Sequence, residues 1–206
     1  PGPAGAQSAV CARECACEAP AGSADEAVCL ARAGACLARQ ALCEGRLALY
    51  AQVMAFVGDG VATHPLSPRL VEGLQRLFPR SDLGRVRIGF APNQPPENAI
   101  TDCDTIYFAR LDTVERARAG TIAEDAEWIW LLHELRHTEQ CQILGGREPY
   151  ALAWMEDVPL ADLKQGDIDP AAIHEAMPME RDATDRALAA LRDLTDCCRT
   201  EDGQLR

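Results

Sequence analysis

Residues 121–146 read TIAEDAEWIWLLHELRHTEQCQILGG, and the remaining architecture is predicted around them. Thr121 and Glu124 match the capping box, in which each side chain satisfies a backbone N–H group of the first helical turn. The two glycines that close the segment are a common signal for the end of a helix. The sequence therefore predicts a long central helix from Thr121 to Leu144.

The middle of this helix carries the HExxH pentapeptide, His133-Glu134-Leu135-Arg136-His137. Helical residues four positions apart lie about 40° apart around the axis, so both imidazoles can reach one metal ion. Glu134 lies about 100° from His133, close enough to contact a metal-bound water without ligating the metal. The spacing predicts a Zn²⁺ site in which His133 and His137 are ligands and Glu134 is the catalytic base.

The same histidines also belong to an apolar stripe of the helix, formed with Ala126, Trp130, Cys141 and Leu144. The alternative is that they are buried core residues without a metal. The zinc interpretation is favoured because two buried imidazoles beside a glutamate would each need a hydrogen-bond partner.

A catalytic zinc ion takes three protein ligands, so a third ligand is needed. Glu180 is the first candidate, because it shares helical spacing with the apolar residues Ala183, Ala187, Leu191 and Leu194. A carboxylate turned toward the core is costly unless it binds something. One alternative is that Glu180 is only an acid in the first helical turn, where the helix dipole favours it. Another is that a different residue is the third ligand: His174, Asp182 or Asp185. His64 is expected to be an exposed linker residue.

The other elements predict a mainly helical α+β domain with a small sheet. A helix starts at Ser67-Pro68, Arg85 to Phe90 alternates as a strand, and Thr105 to Phe108 forms a second strand after a proline-rich loop. A short helix from Asp169-Pro170 and a longer one from Pro178 to Leu194 follow. Helices, a few strands and helices again favour α+β over a doubly wound sheet.

Composition bounds the class of protein. With 206 residues, 48% of them hydrophobic and 25% charged, the chain suits one compact domain with a small appendage. We expect residues 1–57 to form a cysteine-rich helical region and residues 58–206 the main domain. The net charge of −12 repels phosphate backbones and argues against a nucleic-acid partner. No apolar run is long enough to predict a membrane span.

Ten cysteines indicate an oxidising compartment, so the protein is expected to be secreted or periplasmic. Six of them lie within the first 43 residues and predict a disulfide-stapled α-hairpin. An antiparallel hairpin would pair Cys15 with Cys29 and Cys11 with Cys36. A thiolate metal site is the alternative. The remaining cysteines, including Cys197 and Cys198, are expected to fasten the ends of the chain to the main domain.

The order of motifs over residues 65–190 resembles a zinc-peptidase domain family found in toxins of extracellular contractile injection systems and in other exported bacterial proteins. The matching stretches are Ser67 to Phe78, Val86-Arg87-Ile88, Ala99-Ile100-Thr101, Ile106-Tyr107-Phe108, residues 133–140 in the pattern His-Glu-Leu-x-His-x-x-Gln, and Glu180 to Ala183. Two positions depart from the family pattern: Cys103 replaces its glycine, and Thr184 stands where it has aspartate.

The resemblance implies a zincin-like fold and a gluzincin-like metallopeptidase that acts on a peptide or protein substrate. It also suggests a bridge between Cys103 and Cys141, and the strand Thr105 to Phe108 as the edge on which substrate pairs. Four residues are candidates to stabilise the oxyanion: Tyr107, Tyr150, Arg147 and His174. The alternative function is a zinc-stabilised binding or toxin-carrier module with weak or no activity, and a protein stabilised by disulfides alone is a third interpretation.

Overall fold

A computed structural model describes residues 8–12, 15–16, 25–95, 98–157, 177–200 and 202–205. The chain divides into two compact units, Pro1–Gln52 and Val53–Arg206. The first helix, α1 (Glu26–Gly58), starts in the first unit and ends in the second. Over the described residues the protein is α+β and mostly helical, as predicted.

Two disulfides join described residues of the first unit, Cys11–Cys43 and Cys15–Cys36. The predicted pairs Cys11–Cys36 and Cys15–Cys29 are therefore wrong. The antiparallel sense is correct, but each partner lies seven residues further along α1, which is two helical turns on the same face. Residues 9–11 form a turn, and residues 15–16 have no regular structure. A helix was predicted here, so this prediction is wrong for the described part of the segment.

The second unit contains a four-stranded sheet in the order β1-β2-β4-β3. Its strands are β1 (Thr63–Pro65), β2 (Arg87–Phe90), β3 (Ala99–Asp102) and β4 (Thr105–Phe108). β2 and β4 are parallel, and the outer strands pair antiparallel with them. The predicted strand Thr105 to Phe108 exists, but it is an inner strand of the sheet. The prediction that it forms the edge is wrong, because β3, expected to be loop, covers it.

β1 also replaces a predicted linker. His64 pairs with Ile88 across the β1–β2 ladder and is half-buried, so the prediction of an exposed linker residue is wrong. The predicted strand from Arg85 is shorter than expected, because Leu83–Arg85 forms a 3-10 turn before β2.

Five further helical segments lie in the described part of the second unit: α2 (Pro68–Leu74), α3 (Leu111–Ala119), α4 (Asp125–Leu144), α5 (Arg147–Asp157) and α6 (Pro178–Cys197). Ser67 caps α2 by accepting a hydrogen bond from the Leu70 N–H at 3.2 Å, as its sequence predicts. The predicted helix from Asp169-Pro170 lies outside the described residues.

The capping box predicted for α4 does not form. Glu124 is the N-cap, without a side-chain capping bond, and the helix starts at Asp125. Thr121 instead donates its N–H to the carbonyl of Arg116, after Gly120 ends α3 with a φ of 71°. Thr121 therefore closes α3, and the first turn of α4 is held by Glu127, whose carboxylate accepts hydrogen bonds from Arg116.

The end of α4 is as predicted. Gly145 has a φ of 92°, and the N–H of Gly146 bonds to the carbonyl of Cys141.

The core of the unit packs the sheet against α2, α4 and α6. Its fully buried side chains include Phe78, Ile88, Ile106, Phe108, Trp128, Leu131, Leu135 and Leu194. No helix within the described residues is both long and apolar enough to cross a membrane.

Two more disulfides lie in this unit. Cys103, in the β3–β4 turn, is bonded to Cys141 of α4, as the resemblance suggested. Cys103 has a φ of 56°, the left-handed conformation that glycine adopts more readily, which fits its place where the family pattern has glycine. Cys197 and Cys198 are bonded to each other, so the prediction that they fasten the chain end to the domain is wrong.

Candidate metal centre

Helices α4 and α6 bring three ligand-type side chains to one point. The Nε2 atoms of His133 and His137 lie 3.0 Å apart, and Glu180 Oε2 lies 3.0 Å from the first and 3.2 Å from the second. The three residues form a group that could hold a metal ion, with ligand atoms within 4.8 Å of one another. The sequence predicted this trio.

The packing of α6 on α4 explains why Glu180 reaches the histidines. Pro178 starts the helix, which places Glu180 in its first turn, and an alanine-rich stripe lets α6 lie against α4: Ala183, Ala187 and Ala190, all fully buried. His137 and Glu180 are 4% and 5% exposed. The apolar spacing that predicted an inward-facing Glu180 is therefore confirmed.

Two ring nitrogens and a carboxylate oxygen that face one another in a buried space need a proton or a metal ion between them. In metal-free protein a proton takes this place: burial lowers the pKa of His137, but the hydrogen bond and charge of Glu180, helped by the charge of Glu134, raise it to about 9. Donors bound about 2.1 Å from a tetrahedral metal ion lie roughly 3.4 Å apart, near the distances seen here. Two imidazoles and a carboxylate form a donor set that suits Zn²⁺.

Each of the three side chains also has a polar contact at the ring nitrogen or carboxylate oxygen that does not face the other two residues. Thr184 Oγ1 lies 3.3 Å from His133 Nδ1, Gln140 Oε1 lies 2.8 Å from His137 Nδ1, and Trp154 Nε1 donates to Glu180 Oε1 at 3.3 Å. Such outer partners fix the orientation of ligating side chains. Thr184, which stands where the resembled pattern has aspartate, contacts His133 through this hydroxyl.

Glu134 lies beside the trio and outside it. Its side chain is buried, and its Oε2 accepts a hydrogen bond of 2.7 Å from the hydroxyl of Thr101 on β3. The sequence predicted Glu134 as a neighbour of the metal rather than a ligand, and the grouping agrees. Thr101 was given no role from the sequence, although its place in the matched Ala-x-Thr stretch was a signal that could have found it.

The two other candidate ligands within the described residues, Asp182 and Asp185, are not part of the group. Asp182 turns its carboxylate to Arg136 at 2.7 Å and to Gln140 at 2.8 Å, and it is half-exposed. Burial opposes this charge, but the two hydrogen bonds hold the pKa of Asp182 below its usual value. Asp185 is exposed on α6, and His174 lies outside the described residues.

The remaining oxyanion candidates lie at different distances from the trio. The buried Tyr150 ring lies 6.4 Å from the His137 ring, centroid to centroid, whereas Arg147 donates to Asp102 at the end of β3. Burial and the charge of Asp102 raise the pKa of Tyr107, although Arg147 opposes this, so its phenol stays protonated. Of the candidates within the described residues, Tyr150 is the one whose ring contacts a histidine of the trio, and His174 lies outside them.

Comparison of the chain with protein-family models, curated proteins and solved structures gives no match. What the centre does must therefore follow from its own residues. Within the described part of the chain, the group supplies three ligand atoms from three residues, and a second buried acid, Glu134, lies next to it. Three protein ligands are typical of a catalytic zinc site, whereas structural sites use four.

Proposed function

We propose that this protein is a secreted or periplasmic zinc metallopeptidase of the gluzincin type. His133, His137 and Glu180 hold Zn²⁺, and Glu134 is the general base. The observation that carries the proposal is the convergence of three ligand atoms within about 3 Å beside a buried carboxylate that is not one of them. The four disulfides described fit an oxidising compartment.

When bound, Zn²⁺ acts as a Lewis acid that polarises a carbonyl and makes water more acidic. The residues of the chain do the remaining work. Glu134 accepts the proton that the attacking water loses, and later donates it to the leaving amine. The hydroxyl of Thr101 holds one oxygen of this carboxylate, which keeps the base oriented toward the ligand group.

The edge strand β3 is the proposed docking site for an extended peptide. It is the outermost strand on the side of the sheet next to β4, so its outer backbone groups can pair with another strand. Thr101 lies on β3 and contacts Glu134, so a peptide paired with β3 would run beside the base. Tyr150 is the proposed oxyanion donor, because its ring lies next to His137.

Metal analysis and a pair of glutamate variants test the proposal. Wild type should contain about one zinc ion per chain. Glu134→Gln should keep the metal and lose roughly 10²- to 10⁴-fold of its peptide hydrolysis, since it removes a general base. Glu139→Gln is the matched control: Glu139 is an equally buried acid of α4 that binds Arg80 N–H and Arg136 instead.

Wild type separates the two function classes, and the variant pair tests the role of Glu134. A wild-type protein that holds zinc but cleaves nothing in a broad peptide library would contradict the peptidase and favour a zinc-stabilised binding or toxin-carrier module. Equal loss of hydrolysis in both variants would contradict the role of Glu134 and indicate a general effect of changing buried acids in α4.

A further inference from the structure

We infer that Gln140 is a positioning residue that fixes the ligand atom of His137 and ties it to the helix that carries Glu180. The inference rests on the proposed metal centre. Gln140 is 7% exposed and lies one helical turn after His137 on α4. Its side-chain amide makes three hydrogen bonds, one to His137 of α4 and two to Met179 and Asp182 of α6.

The orientation of the amide follows from its partners. On the α6 side it faces the Met179 carbonyl oxygen at 3.0 Å and Asp182 Oδ2 at 2.8 Å. A carbonyl oxygen only accepts hydrogen bonds, and the Asp182 carboxylate is paired with the Arg136 guanidinium, so it also accepts. Only the NH₂ group of Gln140 can satisfy both atoms. Its carbonyl oxygen must therefore face His137.

The amide in turn fixes the histidine. Gln140 Oε1 lies 2.8 Å from His137 Nδ1 and can only accept, so Nδ1 carries the proton. A neutral imidazole with its proton on Nδ1 has its lone pair on Nε2, the atom that faces His133 and Glu180. Gln140 thus selects the tautomer of His137 that a metal ion needs.

For His133, the contact with Thr184 does not by itself select a tautomer. Its Nδ1 lies 3.3 Å from the Thr184 hydroxyl, which can donate or accept. Gln140 also bonds to the carbonyl of Met179, directly before Glu180, so one side chain connects a nitrogen ligand with the backbone of the oxygen ligand. The distance between two of the three ligands therefore depends on Gln140.

Three variants test this role by chelator-competition titration with Zn²⁺ and by proton NMR of the zinc-loaded proteins. Gln140→Leu removes all three hydrogen bonds and should weaken Zn²⁺ binding about 10- to 100-fold. The exchange-protected Nδ1–H resonance of His137 should also be lost, since its acceptor is gone. Gln140→Glu keeps an acceptor for Nδ1–H, so the resonance should persist and affinity should recover in part.

Gln142→Leu is the matched control. Gln142 lies on the same helix and also bonds to other elements, through Asp82 N–H at 3.1 Å and Asp104 Oδ1 at 3.2 Å, but it does not contact the ligand group. Its Zn²⁺ affinity should stay within about twofold of wild type, and its His137 resonance should be unchanged.

The outcomes separate the two proposals. A wild-type protein that binds no Zn²⁺ contradicts the metal centre and this inference with it. A wild-type protein that binds Zn²⁺, with Gln140→Leu within about twofold of it, overturns the inference alone. Should Gln140→Leu fail to fold, Gln140→Glu decides: loss of the His137 resonance at wild-type affinity would overturn the role of Gln140.

Discussion

The two long helices α1 and α4 hold their positions by different means. Eleven of the twenty residues of α4 are buried. Six of these are polar or charged and hydrogen-bond through their side chains: Glu127, Glu134, His137, Thr138, Glu139 and Gln140. In the part of α1 within the first unit, by contrast, large apolar side chains are exposed: Val28, Leu30, Leu37, Leu42 and Leu49. This part is fastened by Cys36 and Cys43 to the segment before it.

The difference explains where chemistry can be placed. A disulfide fixes two backbone positions but does not by itself bury the neighbouring side chains. Close packing and a complete hydrogen-bond network fix the side chains themselves, as a ligand group requires. α4 meets that requirement, and α1 within the first unit does not.

The largest expected effect comes from making the same truncation in both helices. Leu131→Ala in α4 removes a fully buried side chain and should lower the free energy of unfolding by roughly 2–5 kcal/mol. Leu37→Ala in α1, where the side chain is 56% exposed, should change it by less than about 0.5 kcal/mol. Urea unfolding of the two variants measures both values, and equal losses would contradict the comparison.

Removing a disulfide from the first unit should destabilise α1 and leave α4 unchanged. The Cys15–Cys36 bond joins residues 21 positions apart, and its loss in Cys15→Ser/Cys36→Ser should cost about 3 kcal/mol of local stability. Hydrogen exchange should rise in peptides from residues 26–49 and stay constant in peptides from residues 125–144. Faster exchange of α4 to the same extent would show that the stability of the two helices is not separate.

The smallest expected effect is a dependence of the stability on pH, which arises from His137 of α4. In metal-free protein the pKa of His137 is raised from 6.5 to about 9, so its proton stabilises the folded state fully below pH 6.5. This stability is lost as pH rises through about 9. Thermal unfolding in chelator should show a loss of up to about 3 kcal/mol across this range.

Glu180→Gln provides the control for this titration. It removes the carboxylate whose hydrogen bond and charge raise the pKa of His137. Its stability should therefore change less between pH 6.5 and 9 than that of metal-free wild type. An equally steep profile in this variant would assign the pH dependence to other groups.

Local signals in the sequence predicted much of the fold and most of the site. Gly145 and Gly146 marked the end of α4, and Pro178 marked the start of α6. Helical spacing turned Glu180 toward the core, and the need for a third zinc ligand made it the first candidate. These features depend on residues within a few turns of one another. The capping box at Thr121 failed because the same residues also fit the end of α3, which the sequence did not reveal.

Features set by distant partners were missed. β1 and β3 are three and four residues long and become strands only through pairing with β2 and β4. The disulfide register along α1 could not be chosen, because cysteines seven residues apart share one face. Thr101 and Gln140 were visible in matched stretches, but their roles depend on contacts with Glu134 and with α6.

The Cys103–Cys141 bond makes residues 103–141 a closed covalent ring. Both histidines belong to this ring, whereas Glu180 lies on the chain beyond it. In terms of polymer topology, the two nitrogen donors share a cyclic segment and the oxygen donor is carried by a linear one. When α6 alone detaches, both histidines stay on α4, and the ring still joins α4 to the β3–β4 turn. Recapture of a single carboxylate then restores the complete ligand group.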